Sequence, residues 1–289
     1  MALTKVIGNG LGATQEGAIT FNEGSADVDF RVESNGNANM INVDGGNDRV
    51  GLGIAPGFNV QIDKSSTNTT LTDLTDAQLV LSNTGSATTN QHVKLGFRFQ
   101  DGSVNGQSMI AAVRESGSSR ASSLRFYTGP ASDGDPDEAM RITSTGAITK
   151  PLQPAFLVGM STNSAQFGNG QFTPTLDTEI FDQNADFGSN TFTAPVTGRY
   201  YLSWIVYAAN LDTSASYYYL KLATSNREYS KYLYTSSFDA DVLYYGWHTS
   251  VLADMDVNDT ATFHIGQVNG HSTSQVYASN TYASGALIC

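Results

Sequence analysis

The stretch that begins near residue 200 has the clearest alternation of apolar positions in the chain. Successive side chains of an extended strand point to opposite faces, so every second residue shares a face. One face would carry Tyr200, Leu202, Trp204, Val206 and Ala208, and the other would carry Tyr201, Ser203, Ile205 and Tyr207. Neither face is strongly polar. The pattern therefore predicts a strand that is buried on both sides, inside a sandwich or against a partner subunit.

The first 64 residues predict short strands that are separated by tight turns. Apolar and charged residues alternate over 27–33, as is typical of a half-buried strand, and two more strands are predicted at 40–43 and 49–53. Asn35 and Gly36 predict a hairpin turn. We assign residues 1–17 to an N-terminal arm and 18–64 to a β-module. Whether the arm is a structured plug or a disordered tail stays open.

The middle of the chain predicts a second β-rich region. Four strands are predicted, at residues 78–82, 93–100, 109–113 and 123–127. In the second of them, the inward side chains would be Val93, Leu95, Phe97 and Phe99. A linker rich in Ser, Thr and Asn spans residues 65–70. We assign 65–150 to a β-rich spacer and 151–289 to a C-terminal head, because Pro151 and Pro154 stiffen a short connector between them.

Composition and charge narrow the class of protein. Hydrophobic residues make up 40% of the chain and charged residues 15%, with 14 Tyr and 14 Phe. Such a chain favours strands and argues against a long helical protein or charge-driven disorder. The formal net charge of -12 disfavours binding to nucleic acid. A single cysteine, Cys289, cannot form an intrachain disulfide, so stability is expected to come from core burial and oligomerisation.

Two targeting features are absent from the sequence. No window reaches the ~18 consecutive apolar residues of a membrane-spanning helix. The first residues also lack the continuous apolar core of a secretory signal peptide. We therefore expect that the protein is made in a cytoplasm and does not insert into a membrane.

Residues 192–202 follow the pattern Phe-x-Ala-Pro-x-x-Gly-x-Tyr-x-Leu. This resembles the central signature of the globular head of complement component C-one-q, a family that shares the jelly roll of tumour necrosis factor. The similarity covers roughly residues 154–289, although Leu202 stands where the family prefers Phe. The resemblance implies a trimeric jelly-roll head. Its core and trimer interface would include Tyr200, Leu202, Trp204, Ala286, Leu287 and Ile288.

Two other segments resemble bacteriophage proteins. Residues 27–53 closely resemble a module that recurs in tail-fibre and other virion proteins of phages, with its turns intact. Residues 138–149 resemble a sequence motif that often ends the β-rich shaft of such fibres. Phage fibres are typically trimers, so both resemblances imply a homotrimer. The predicted fold class is all-β: an N-terminal β-module and a β-rich spacer domain, followed by a jelly-roll β-sandwich head, in a trimer.

Aromatic residues are concentrated between residues 217 and 247. Aromatic rings stack on the apolar faces of sugars, and tyrosine adds a hydroxyl that forms hydrogen bonds. The candidate ligand-binding residues are the aromatics that we place in loops: Tyr234, Phe238, Tyr244 and Trp247. The alternative is that these side chains fill the sandwich core and the trimer interface.

Asp239 and Asp241 are weak candidates for Ca²⁺ ligands, because alternate carboxylates can supply hard oxygen atoms. They lack the strict spacing of a calcium loop, and solvated turn residues are the alternative. The four histidines are scattered, and the sequence contains no motif for nucleophilic catalysis or phosphate binding. We expect no catalytic residue and no cofactor, unless calcium binds.

These patterns together predict a non-enzymatic phage virion protein. It would be a tail fibre or receptor-binding protein whose head recognises a host-surface glycan or protein. Its N-terminal region would attach to other tail or capsid proteins. The protein would be made in the host cytoplasm and released in virions by lysis. Alternatives are a head fibre or capsid decoration protein, a cellular lectin similar to C-one-q, and a glycan-cleaving tailspike, which would need paired carboxylates in a groove.

Overall fold

A computed structural model of the chain describes residues 29–64, 74, 77–101, 104–130 and 134–289. The chain divides into two compact units, residues 1–82 and residues 83–289. The predicted arm at 1–17 and the linker at 65–70 lie outside the described residues. The division into four segments stays a prediction, and every described strand falls within one of those segments.

The first unit contains a four-stranded sheet. Its strands are β1 (Phe30–Val32), β2 (Ile41–Asp44), β3 (Arg49–Leu52) and β4 (Val60–Ile62). The first three pair antiparallel, and β4 joins β3 in parallel. Because Val32 pairs with Ile41, the loop between β1 and β2 spans residues 33–40. The predicted turn at Asn35 and Gly36 lies within this loop and is confirmed, because the amide of Ser34 donates to the carbonyl oxygen of Asn37 across these two residues at 2.9 Å.

The second unit begins with a five-stranded antiparallel sheet whose strands follow chain order. They are β5 (His92–Asp101), β6 (Val104–Arg114), β7 (Ser122–Thr128), β8 (Asp137–Ile142) and β9 (Ile148–Thr149). The predicted inward residues of β5 are not buried: Leu95, Phe97 and Phe99 are 47%, 48% and 76% exposed. This sheet is a single layer, and none of the described residues forms a second layer over its apolar face.

The predicted strand at 78–82 is also wrong, since residues 77–82 form no regular structure. A strand needs a row of hydrogen-bonding partners on a neighbouring strand, and none of the described strands pairs with this segment. Beyond it, the side chain of Asn83 donates to the carbonyl oxygen of His92 at 3.1 Å and accepts from the amide of Gly85 at 3.0 Å. These bonds close the loop that leads into β5.

The C-terminal part is a sandwich of two six-stranded sheets. Its strands in chain order are β10 (Ala155–Gly159), β11 (Gly170–Phe172), β12 (Thr178–Gln183), β13 (Phe187–Gly188), β14 (Thr191–Thr193), β15 (Gly198–Leu211), β16 (Ala215–Thr224), β17 (Glu228–Tyr234), β18 (Val242–Met255), β19 (Thr260–Asn269), β20 (Gln275–Val276) and β21 (Tyr282–Leu287). Short 3₁₀ turns occupy Thr235–Ser237 and Ala278–Asn280.

The order of the strands in the two sheets is that of a jelly roll. The first sheet has the order β12-β10-β21-β15-β18, with β20 also on β15. The second has the order β13-β14-β19-β16-β17, with β11 also on β19. The chain thus crosses repeatedly between two antiparallel sheets. The predicted all-β fold with a jelly-roll head is confirmed.

The core lies between the two sheets and contains one face of β15. Tyr200, Leu202, Trp204, Val206 and Ala208 are all 0% exposed, as the alternation predicts. On the opposite face of β15, Tyr201 is 47% and Ile205 43% exposed in the single chain. The prediction that both faces of β15 are buried is therefore correct for only one face within a single subunit.

Candidate functional site

Four tyrosines form a patch on the outward face of the second sheet. β16 places Tyr218, Leu220 and Leu222 in the core, each 0% exposed. Strand alternation therefore turns Tyr217 and Tyr219 outward. The register sets Tyr217 opposite Tyr234 and Tyr219 opposite Tyr232 on the neighbouring strand β17. We call Tyr217, Tyr219, Tyr232 and Tyr234 the tyrosine platform.

The rings of the tyrosine platform are in mutual contact. The ring centroid of Tyr217 lies 5.4 Å from that of Tyr232 and 5.8 Å from that of Tyr234, and both pairs are edge-to-face. Tyr232 and Tyr234 are close to parallel, with 26° between the ring planes and 6.5 Å between centroids. Their side chains remain largely open to solvent, with Tyr232 51% and Tyr234 59% exposed.

The ring of Tyr219 reaches over a glycine of the neighbouring strand β19, Gly266, which is its partner in the register. A Cβ on Gly266 would be 2.4 Å from Cζ of Tyr219 and 2.6 Å from the carbonyl oxygen of Gly170. Only glycine leaves room for the ring at this position. Burial against the sheet raises the pKa of the Tyr219 hydroxyl, although the nearby Lys221 opposes the shift.

The charged groups on the same sheet face as the tyrosine platform are paired, whereas Lys231 is set opposite the buried Leu220 and so lies on the other face of β17. Lys221 donates from Nζ to Oε1 of Glu228 at 2.9 Å. Further along the same face, the His264 ring lies between Thr173, 2.7 Å from Nδ1, and Thr262, 2.9 Å from Nε2. Burial lowers the pKa of His264, which keeps the imidazole neutral at physiological pH. The platform therefore has a nearly neutral border.

The structure does not bring the four sequence-predicted ligand residues together. Tyr234 belongs to the tyrosine platform. Tyr244 belongs to a second cluster, where its ring stacks at 5.5 Å on Tyr207 and meets Tyr277 edge-on at 5.5 Å. Phe238 and Trp247 flank Tyr245 in a third cluster, with centroid distances of 5.4 and 5.7 Å.

The predicted loop locations are wrong for three of these residues. Tyr234 ends β17, whereas Tyr244 and Trp247 lie in β18. Phe238 follows the 3₁₀ turn after β17. The ligand-binding role of all four stays a prediction. Sequence reasoning passed over Tyr217, Tyr219 and Tyr232. The sequence does contain a pattern that could have revealed them. Each arm of one hairpin carries two tyrosines that are two positions apart, and the pairing of the strands brings these four side chains together.

Trp247 has an unusual polar environment. Its side chain packs against the rim of the core between the two sheets. The indole Nε1 is buried and has no hydrogen-bond partner among the described residues. Unpaired buried donors are rare in folded proteins.

An Asp, a Ser and a His meet at one end of the sandwich. Asp212, whose side chain is 7% exposed, accepts hydrogen bonds from the Ser214 hydroxyl at 2.7 Å and from Nδ1 of His271 at 2.8 Å. The hydroxyl bond of Ser214 is the main cause that holds the pKa of Asp212 far below its usual range. In a catalytic triad the imidazole would stand between the two oxygens and use both of its nitrogens. Here Nδ1 of His271 faces both Asp212 and Ser214, at 2.8 and 3.3 Å. These three side chains therefore stabilise the conformation of a loop.

A buried polar network supports that loop from below. The hydroxyl of Tyr218 accepts from the amide of Asp212 and contacts the hydroxyl of Ser274, both at 2.8 Å. Ser274 in turn donates to Oε1 of Gln267 at 3.1 Å, and the Gln267 amide reaches the carbonyl oxygen of His271 at 2.9 Å. Ser274 and Gln267 are both 0% exposed. The network gives the loops at this end one defined arrangement.

The two calcium candidates lie on the surface beside this loop. Oδ1 of Asp241 accepts from the amide and the hydroxyl of Thr213 at 2.8 and 2.7 Å. Those bonds lower the pKa of Asp241. Within the described ranges, no third His, Cys, Asp or Glu joins Asp239 and Asp241 to form a cluster that could hold a metal.

The predicted axial residues of the C-terminal strand fall on both faces. Ala286 pairs with Tyr201 and Leu287 pairs with Tyr200, so they point outward and inward respectively. Ile288 follows the strand and is 56% exposed. Their place at a trimer interface stays a prediction.

Of the helical segments in the described part of the chain, none has the length and apolar character needed to span a bilayer.

Comparison with known proteins reveals likeness only at the level of solved structures. No protein-family model and no curated protein matches the chain. The globular domain of zebrafish complement 1qA protein is 20% identical, and the match covers 47% of this chain and 98% of that one with a TM-score of 0.36. Murine APRIL is 8% identical, and the match covers 47% of this chain and 99% of that one with a TM-score of 0.35.

Proposed function

We propose that this chain is the subunit of a homotrimeric, non-enzymatic recognition protein of a bacteriophage particle. In this proposal the protein is a tail fibre or receptor-binding protein. The jelly-roll head contacts a glycan or protein on the host surface, and the N-terminal module attaches to tail or capsid proteins.

The outward face of the first sheet is the observation that carries the proposal. This face, which we call the apolar head face, includes Phe181, Tyr201, Ile205 and Leu252, which are 48%, 47%, 43% and 57% exposed. Tyr201 and Leu252 are directly opposed on β15 and β18, so these two exposed side chains adjoin. A contiguous exposed apolar surface of this kind marks an interaction site. Assembly about a three-fold axis would cover it with identical copies.

The five-stranded sheet supports the same assembly independently. One of its faces carries Leu95, Phe97 and Phe99 from β5, and Leu124 from β7 is 39% exposed. An apolar sheet face has to be buried against another layer for the sheet to be stable. Copies of the same spacer, held together by the head, would supply that layer.

The proposed location in the virion rests on the N-terminal module and on the phage-like sequence motif at 138–149. Within the described residues, 29–53 fold into the antiparallel strands β1, β2 and β3. Compact modules of this kind suit attachment to a neighbouring virion protein. In our proposal the chain is made in the host cytoplasm, joins the particle there and leaves by lysis.

The proposal requires no catalytic group, and recognition gains strength from repetition. Three identical heads on one axis, in several copies per particle, give avidity even when each contact is weak.

The test has two stages. Sedimentation of the full chain should give three times the subunit mass of 30.8 kDa. The labelled trimer should then bind host cells saturably and block infection. A monomer at micromolar concentration would refute the assembly. An intact trimer that neither binds cells nor blocks infection would refute recognition, and the role would then be that of a head fibre or decoration protein.

A further inference from the structure

We infer that the tyrosine platform is a binding site for a neutral oligosaccharide built from pyranose rings. This inference rests on the proposed recognition function and assigns it to Tyr217, Tyr219, Tyr232 and Tyr234. It names the surface of the head that touches the ligand and the chemical class of that ligand.

The first support is the arrangement of the rings. Tyr232 and Tyr234 are nearly parallel, with 26° between the ring planes and 6.5 Å between the centroids, and Tyr217 adjoins both of them. The C–H face of a pyranose ring stacks on such an aromatic face, and adjoining rings can accept adjoining sugars. Both side chains are more than half exposed, so a ligand has access to them.

The second support is the state of the hydroxyl groups. Within the described part of the chain, no hydrogen bond ends on the phenolic oxygen of any platform tyrosine. These four hydroxyls remain available to the hydroxyls of a sugar. A purely apolar partner would bury them without hydrogen bonds, which is unfavourable. The chemistry of the platform therefore favours a carbohydrate over an apolar peptide.

The third support is charge. The only ion pair at the border, Lys221 with Glu228, is already closed at 2.9 Å among the described residues. The whole chain carries a formal net charge of -12. An acidic polysaccharide would be repelled by that charge, and Lys221, the cation on the same face of the sheet, is already paired, so a neutral ligand is favoured.

The fourth support is position and rigidity. The platform lies on the outward face of the second sheet, whereas the apolar head face lies on the first. Because the outer faces of a sandwich point in opposite directions, a trimer built on the first sheet leaves the platform open. Tyr219 is fixed over Gly266, and Tyr217 packs edge-on against both tyrosines of β17. Little ordering is therefore needed when a ligand binds.

The test is saturation-transfer NMR of the full-length protein with three neutral probes, maltohexaose, mannohexaose and chitohexaose, and with hexagalacturonate as the acidic comparison. Binding of at least one neutral probe is expected. The variant Y232S/Y234S should weaken it by about tenfold or more, since it removes two aromatic stacking surfaces. Y127S, which removes a tyrosine from the spacer, is the matched control and should bind as the unaltered protein does.

Three results would overturn the inference: no binding of any neutral probe, equal binding by Y232S/Y234S, or binding of hexagalacturonate alone. Sedimentation and circular dichroism must show that each variant keeps its fold and mass. The proposed function is tested separately by the trimer mass and by binding to host cells. A head that binds cells through another surface would refute the platform and leave the proposed function standing.

Discussion

Trp204 donates a hydrogen bond from Nε1 to the main-chain carbonyl oxygen of His264, 2.9 Å away. Trp204 lies in β15 of the first sheet and His264 in β19 of the second, so this bond joins the two layers through the middle of the core. The indole is 0% exposed, and its ring centroid lies 5.8 Å from that of Phe263. One side chain thus contributes both apolar packing and a polar link to the sandwich.

We expect Trp204→Ala to lower the free energy of unfolding of the head by about 3–5 kcal/mol, because it leaves a large cavity and an unpaired carbonyl. Trp204→Phe keeps most of the apolar contact, so its loss should be smaller. Urea denaturation monitored by circular dichroism measures both. An unchanged urea midpoint for Trp204→Ala would contradict the placement of this residue in the core.

A second prediction concerns the apolar head face. Leu252→Glu should raise the dissociation constant of the trimer by about a hundredfold or more, because an unpaired carboxylate buried at an interface costs several kcal/mol. Val257→Glu is the control, since Val257 is 53% exposed on the turn after β18. Sedimentation equilibrium distinguishes the two. Equal trimer masses for both variants would place the interface elsewhere.

A third prediction concerns the spacer. Leu95→Glu/Phe97→Glu should make residues 83–150 susceptible to limited proteolysis, because charges on the apolar face prevent its burial against other copies. Lys94→Glu is the control, since Lys94 is on the opposite face of β5. Equal resistance of the two variants would mean that this face stays uncovered in the assembly.

A fourth prediction follows from Asp212. Its folded-state pKa lies below the unfolded value of about 3.9, so the carboxylate contributes stability that is present above about pH 4 and is lost as the pH falls through the acid range. Asp212→Asn should lower the free energy of unfolding at pH 7 by about 2 kcal/mol, since hydrogen bonds to a charged group are lost.

The difference between Asp212→Asn and the unaltered protein should shrink as the pH falls toward 2, because the unaltered carboxyl is then increasingly protonated. Urea midpoints at several pH values measure this trend. Asp239→Asn, at an exposed position of the neighbouring loop, should change little at any pH. A difference for Asp212→Asn that does not vary with pH would contradict the role of its charge.

A fifth prediction uses the glycine beneath the tyrosine platform. Gly266→Ala places a methyl group 2.4 Å from Cζ of Tyr219 and 2.6 Å from the carbonyl oxygen of Gly170. It should displace the ring and destabilise the head by about 1–3 kcal/mol. Gly188→Ala, where no atom lies within 4 Å of the added carbon, should be nearly neutral. Thermal melts compare the two, and equal melting temperatures would contradict the close fit.

Local patterns were sufficient to predict the long strand β15 and its buried face. The alternation from Tyr200 to Ala208 depends only on the period of a strand, and the structure confirms it. Alternation fails at β5 for a physical reason. It shows that Leu95 and Phe97 share a face, but it cannot show whether another layer covers that face, and none of the described residues buries it.

Contacts between distant residues could not be predicted from local patterns. His271 meets Asp212 only because the β15–β16 and β19–β20 loops converge at one end of the sandwich. Which tyrosines form the tyrosine platform depends on the register of β17 against β16, which pairs Tyr232 with Tyr219. The segment at 78–82 shows the converse limit: three consecutive apolar residues suggest a strand, but strand formation requires a partner edge.

The position of β21 has a consequence for how the head is made. This strand lies in the middle of the first sheet, where it pairs with residues 155–159 on one side and with 200–205 on the other. A ribosome releases β10 and β15 long before β21 emerges, and until then both strands have an open edge. Pairing across so many intervening residues is slow. The sheet that carries the apolar head face is therefore completed only after β21 has been made, later than the two strands that flank it.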